Sequence, residues 1–185
     1  MRIIAGKYRG RKLHAPSDMD IRPTTDKMRE RIFSMLQHSR YPGLHGARVL
    51  DVFAGTGALG LEALSRGAGH ITFVEKSTKS IALLNKNISS MKVGDETTII
   101  KSRASSVKTT TNPCDFIFMD PPYGKGLLEP SIIHLLENGW LADRGVIIAE
   151  LGSNETLEVP DTLTLIDERK QGNQRILFLV KSLLV

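Results

Sequence analysis

Residues 49–60 constrain this chain more than any other stretch. Val49-Leu50-Asp51-Val52-Phe53 is a short apolar run, and Gly55-Thr56-Gly57-Ala58-Leu59-Gly60 follows it and leads into Leu61-Glu62-Ala63-Leu64. A strand that turns through glycines into a helix predicts a ligand at the turn, because the helix N–H groups and a bare backbone can approach it there. Beyond residue 60 the chain continues as alternating strands and helices, which leaves little choice of architecture.

The strands read as His70-Ile71-Thr72-Phe73-Val74-Glu75, Thr97-Thr98-Ile99-Ile100, Asp115-Phe116-Ile117-Phe118-Met119 and Val146-Ile147-Ile148-Ala149. Between them, residues 77–91 place Ile81, Leu84, Ile88 and Met91 on one helical face, and residues 126–138 form a further helix. Leu163-Thr164-Leu165-Ile166 and residues 175–180 face each other across Gln171-Gly172-Asn173, a hairpin signal. This pattern predicts a Rossmann-like α/β fold over residues 41–185, mostly parallel, with one antiparallel strand near the edge. Before it, residues 1–13 read as a short hairpin, and Thr24 or Thr25 caps a helix over about residues 25–38. Residues 1–40 thus read as a hairpin-and-helix extension.

Charge sets that extension apart. Ten basic and four acidic residues fall in residues 1–40, a surplus of +6 in a chain whose net charge is +5. The basic side chains Arg2, Lys7, Arg9, Arg11, Lys12 and Arg22 therefore sit on a segment suited to a polyanion, while the body is close to neutral. A solvated charged surface is the alternative. One cysteine in 185 residues precludes an internal disulfide, and no apolar run reaches the ~20 residues that span a bilayer. The start is too short in apolar residues for a signal peptide, so the expected compartment is the cytoplasm.

The glycine pattern alone would suit a dinucleotide. Asp51 argues otherwise, since at an effective dielectric of about 20 two like charges ~5 Å apart repel by roughly 3 kcal/mol, and a pyrophosphate would lie near it. A ligand that carries an ammonium and a sulfonium favours that acid. Glu75, at the end of the second strand, can accept both ribose hydroxyls of an adenosine. Glu75 fits the nucleoside of a dinucleotide or of S-adenosylmethionine alike, and Asp51 is what favours S-adenosylmethionine.

Asp120-Pro121-Pro122-Tyr123 follows the fourth strand, at the edge of the sheet where ligands bind. The prolines remove two backbone donors and leave carbonyl acceptors beside the Asp120 carboxylate. Tyr123 offers a flat face for a base. Such a site suits an exocyclic amine, whose lone pair is delocalised into its ring. Accepting its two hydrogens at Asp120 and the Pro121 carbonyl would localise that pair and aim it at a methyl group, without a metal.

Pro113-Cys114 resembles the proline–cysteine pair of cytosine-C5 methyltransferases. Cys114 begins the strand that Asp120 ends, about 20 Å away at ~3.3 Å per residue, and reads as a small strand residue. The five histidines show no ligand spacing, so no metal site is expected. Trp140 reads as core or as a loop anchor.

Arg2-Ile3-Ile4-Ala5-Gly6-Lys7, Arg22-Pro23-Thr24-Thr25-Asp26, the stretch from Asp51 to Gly60, and Asp120-Pro121-Pro122-Tyr123 together resemble the bacterial RsmD family over nearly the full chain. Members of that family methylate guanine N2 in 16S ribosomal RNA. The resemblance implies a seven-stranded class I methyltransferase fold, a basic hairpin directed at RNA, and a small-subunit assembly intermediate as the partner of a monomeric enzyme. By position it implies that Asp51, Phe53, Gly55, Gly57, Glu75 and Asp120 hold the cofactor. Asp120 and Tyr123 would hold the guanine, and Arg22 and Thr25 would line the cleft. Where many class I enzymes carry an acid after the third strand, this chain has Lys101-Ser102-Arg103-Ala104-Ser105-Ser106. Adenine recognition then falls to the Ala104 backbone or to Ser105.

Other readings share some of these features. A DNA adenine-N6 methyltransferase uses the same tetrapeptide but usually carries a separate target-recognition domain. A protein glutamine methyltransferase usually has Asn in place of Asp120. A non-catalytic RNA-binding assembly factor would have had no reason to keep Asp120 and Glu75, and Asp51 opposes a NAD-binding module.

Overall fold

The computed structural model describes residues 1–16, 26–37 and 40–182. Helix α1 is Asp26–Leu36, followed by β1 (Arg48–Val52), α2 (Ala58–Ser65), β2 (His70–Glu75), α3 (Thr78–Met91) and β3 (Thr97–Lys101). A short 3-10 turn, Ala104–Ser106, leads to β4 (Cys114–Met119), α4 (Leu128–Glu137), β5 (Leu141–Gly152), β6 (Leu163–Gln171) and β7 (Gln174–Lys181). The seven strands form one sheet in the order β3-β2-β1-β4-β5-β7-β6. Strands β1 to β5 pair in parallel and β7 alone runs against its neighbours β5 and β6.

Successive strand residues feed opposite layers. Val49, Phe73, Phe116, Phe118 and Ile148 face α1, α2 and α3, and Phe33 of α1 meets Phe118 edge-on at 5.6 Å. Leu50, Val52, Ile117, Met119 and Ile147 face α4 through Ile132 and Leu135. Near-continuous apolar strands are what a sheet covered on both faces requires. Strand order reverses between β1 and β4, so the loops that leave these two strands open a crevice at the carboxyl edge. The glycine turn and Asp120-Pro121-Pro122-Tyr123 are those two loops.

Two elements differ from the sequence reading. Strand β5 runs over twelve residues rather than four, because Leu141 already pairs with Cys114 and a bulge absorbs the polar Asp143-Arg144-Gly145 before Val146 meets Phe116. Residues 1–13 fold back on themselves but share a single ladder pair, Arg2 with Lys12, around a tight turn. The Thr24 and Thr25 caps lie outside the described residues. No helix among the described residues is long and apolar enough to cross a membrane.

That N-terminal segment is docked rather than loose. The buried Glu62 carboxylate of α2 accepts the amides of Ile4 (2.8 Å) and Ala5 (3.0 Å) and the Arg66 Nε (2.8 Å). Ser65 accepts the Tyr8 amide at its hydroxyl and the Lys7 amide at its carbonyl, and its hydroxyl donates to the Ala5 carbonyl. Gly6 passes so close that a Cβ there would lie 1.8 Å from the Ser65 oxygen, at a φ of +82°. From α1, the fully buried Arg29 reaches the Arg2 carbonyl (2.7 Å) and Asp26 (2.6 Å). Ile3 and Leu13 share one core with α1, α2 and the sheet.

Candidate active site

A cavity of about 630 Å³ opens at the carboxyl edge of the sheet, within the size range of small-molecule sites. Asp51, Phe53, Gly55, Glu75, Ala104 and the whole of Asp120-Pro121-Pro122-Tyr123 line it. Residues singled out in four separate segments of the sequence are thus brought to one place. Gly57 is buried just behind the wall, where a Cβ would meet Leu84 at 2.4 Å.

Asp51 is 3% exposed and accepts the Gly60 amide of α2 at 2.8 Å. Burial raises its pKa to about 8, with the neighbouring charges of Asp120 and Glu75 adding to the rise and the Gly60 hydrogen bond opposing it. A carboxyl held in this state gains most from a ligand that brings a cation. The turn after it repeatedly visits the left-handed region: Phe53, Gly55 and Gly57 have φ of 63°, 55° and 78°. Phe53 has no glycine's freedom, so its backbone is strained to hold its side chain at the cavity. Gly60 serves packing, since a Cβ there would come within 2.5 Å of the Phe73 ring.

Glu75 does more than line the wall. One carboxylate oxygen accepts the Gly55 amide (2.9 Å), and the other accepts the amides of Lys76 (2.8 Å) and Ser77 (2.7 Å). It therefore locks the glycine turn to the end of β2. Ala104 is buried at the start of its 3-10 turn, with Ser102, Arg103 and Ser105 beside it on the wall. Met1 and Pro16 also line the cavity, which brings both ends of the N-terminal segment to it.

At the other end of the cavity the Tyr123 hydroxyl donates to Glu150 Oε1 at 2.5 Å and accepts from Gln174 Nε2 at 2.9 Å. Gln174 also donates to Glu150 Oε1, at 2.5 Å. Burial and then the bond to Glu150 raise the Tyr123 pKa well above that of a free phenol. Its hydroxyl is committed to the protein, which leaves its ring to face the cavity. Glu150 and Gln174 are 3% and 6% exposed and both line the wall, yet the sequence reading missed them. The signal available was a lone glutamate ending an otherwise apolar strand. Glu155 holds the following loop, accepting from Gly124 (2.7 Å) and Gly152 (2.6 Å).

The remaining candidates fall elsewhere. Arg2, Lys7, Arg9, Arg11 and Lys12 are all exposed on the docked segment, outside the cavity, with the Arg11 guanidinium donating to the Ser90 carbonyl of α3 at 2.8 Å. Arg22 lies outside the described residues. Cys114 is buried at the far end of β4, and burial pushes its thiol up to about 12, a poor state for a nucleophile. Trp140 anchors a loop from the core, donating to the Lys108 carbonyl at 3.0 Å.

The strand order, the glycine turn after β1, the acid ending β2 and Asp-Pro-Pro-Tyr after β4 define a Rossmann-like class I methyltransferase. The chain belongs to the family described as Conserved hypothetical protein 95, the RsmD family, whose model matches residues 1–180. The Ribosomal RNA small subunit methyltransferase D of Escherichia coli is 43% identical over 173 residues, covering 93% of this chain and 85% of that protein. A solved structure from the same organism, yhhF, is 39% identical with a TM-score of 0.85, over 98% of this chain and 97% of its own. The SAH-bound methyltransferase PaMTH1 of Podospora anserina aligns more locally, at 26% identity and a TM-score of 0.51 over 56% of this chain and 45% of its own.

Proposed function

We propose that this enzyme transfers the methyl group of S-adenosylmethionine to the exocyclic N2 amine of a guanine in 16S ribosomal RNA, within a small-subunit assembly intermediate. The observation that carries the reading is the shared cavity: Asp120-Pro121-Pro122-Tyr123 faces the same space as Asp51 and Glu75. The name of the E. coli relative supports a small-subunit RNA substrate, and the SAH carried by PaMTH1 supports the cofactor.

In this reading Asp51 and the glycine turn receive the amino-acid end of the cofactor, Glu75 its ribose, and Ala104 with its neighbours the adenine. When bound, the cofactor supplies an electrophilic methyl on a cationic sulfur. Asp120 and the Pro121 carbonyl accept the two N2 hydrogens, so the nitrogen lone pair is no longer shared fully with the ring. Pro122 stiffens the turn that presents these acceptors, and the Tyr123 ring stacks on a base that has left its helix. The N2 nitrogen so held would take up the methyl that the cofactor supplies, and Asp120 would receive the N2 proton that is lost.

Residues 1–40 act as the RNA-facing extension of the body formed by residues 41–185. Arg2, Lys7, Arg9, Arg11 and Lys12 contact phosphates from a platform already docked on α2 and α3, so little ordering entropy opposes binding. Labelled methyl transfer to small subunits from cells lacking this protein, followed by nucleoside digestion, tests the proposal. N2-methylguanosine in 16S RNA is the expected product. Label in N6-methyladenine, or in protein, would overturn it.

A further inference from the structure

Met119 of β4 pairs with Ala149 of β5, so Asp120 and Glu150 are the next residues along two adjacent parallel strands. Both line the cavity. A second carboxylate therefore stands beside the one assigned to the target amine. Its orientation is fixed from behind, because the Tyr123 hydroxyl and Gln174 Nε2 both donate to its Oε1 at 2.5 Å. Gln174 is in turn set by the antiparallel pairing of β7 with β5, opposite Gly152.

A buried carboxylate is costly, and holding a tyrosine ring does not require one; a glutamine would accept the same hydroxyl. A charged acceptor is useful where a ligand brings another donor. Guanine does so: on the edge that carries the N2 amine, the adjacent ring atom is N1–H. Adenine presents a bare N1 acceptor beside its amine, and a carboxylate would repel it. A carboxylate has about four acceptor positions, so Oε1 can serve its two internal donors while the group also serves a base.

We propose that Glu150 is a specificity-determining residue that accepts the N1–H of the guanine whose N2 is methylated, and so separates guanine from adenine. This rests on the reading of the site given above. Asp120 and Pro121 take the two amine hydrogens, Glu150 takes the neighbouring ring hydrogen, and the Tyr123–Gln174 pair keeps Glu150 aimed.

The test replaces the mapped target guanine with 2-aminopurine in reconstituted small subunits. That base keeps the exocyclic amine but has an acceptor at N1. Wild-type kcat/KM should fall roughly 10- to 100-fold from guanine to 2-aminopurine, the loss of one hydrogen bond to a charged group. In Glu150→Gln the two substrates should come within about threefold, because the new amide can donate to the bare N1. Tyr123→Phe leaves Gln174 donating to Glu150 Oε1, so it should slow both substrates while keeping their ratio. An unchanged ratio in Glu150→Gln, or a ratio in Tyr123→Phe that falls as far as in Glu150→Gln, would overturn the proposal and leave Glu150 a support for Tyr123. Equal wild-type rates on the two bases would also overturn it. Failure of the underlying reading shows separately, as no wild-type transfer to guanine at all.

Discussion

Asn87 of α3 donates its side-chain amide to the Thr56 carbonyl, 2.9 Å away and 31 residues earlier, inside the glycine turn. The same side chain also donates to the His14 carbonyl (3.1 Å) and accepts the His14 amide (2.6 Å). One fully buried residue thus ties the glycine turn to the end of the basic segment. Asn87→Ala should cost about 2–4 kcal/mol of stability, since it removes three hydrogen bonds and strands the buried Thr56 carbonyl. It should also weaken cofactor binding and speed exchange of the His14 amide. Chemical denaturation, calorimetry and hydrogen exchange on the one variant check all three. Loss of stability without any change in cofactor affinity would separate Thr56 from the cofactor site.

Asp51 makes a prediction with a definite sign. Its folded pKa of about 8 lies above the ordinary 3.8, so its contribution to stability is fully present below about pH 4 and is lost as pH rises toward 8. Asp51→Asn should therefore raise the melting temperature of the ligand-free protein at pH 8, with little gain at pH 4. Binding of a cation requires the ionised carboxylate, so wild-type cofactor affinity should improve between pH 6 and 8, by up to about tenfold per unit. The Asn variant should bind more weakly at pH 8 and lose that slope. Calorimetry at three pH values gives the answer.

Gly60 fixes the distance between α2 and β2. Gly60→Ala places a methyl 2.5 Å from the Phe73 ring and 2.7 Å from Ile71 Cγ2, and should cost about 1–3 kcal/mol by overpacking. Urea unfolding should show a lower midpoint with an unchanged slope.

Charge removal at Arg9, Arg11 and Lys12 should weaken RNA binding and reduce the salt dependence of log K by about 2, at ~0.7 for each single-strand phosphate no longer neutralised. Cofactor affinity should stay as in wild type, because these side chains lie outside the cavity. Filter binding across a salt series measures the slope. Equal slopes before and after would remove the segment from the RNA interface.

The sequence made the body readable because the glycine turn, Glu75 and Asp120-Pro121-Pro122-Tyr123 are each local signals, and a parallel sheet carries all of them to one edge. The Tyr123–Glu150–Gln174 network was not readable. It depends on β7 inserting between β5 and β6, so that Gln174 arrives beside Glu150 through a pairing no local pattern announces. The docking of residues 1–16 was hidden for the same reason. Glu62 looks like an ordinary helix glutamate until the fold places the Ile4 and Ala5 amides against it. Residues 141–145, the polar opening of β5, lack the apolar run that marks Val146-Ile147-Ile148-Ala149, so their strand shows only in the pairing of Leu141 with Cys114 across a bulge.

Asp120 bears the central claim most directly. Single-turnover methyl transfer to small-subunit particles should be compared for wild type and Asp120→Ala, with cofactor affinity measured on the same preparations. N2-methylguanosine formation should fall by at least roughly 100-fold, the scale of one electrostatic catalytic group, while cofactor binding changes by less than about fivefold. Transfer at near wild-type rate in Asp120→Ala would contradict the assignment of this carboxylate to the target amine.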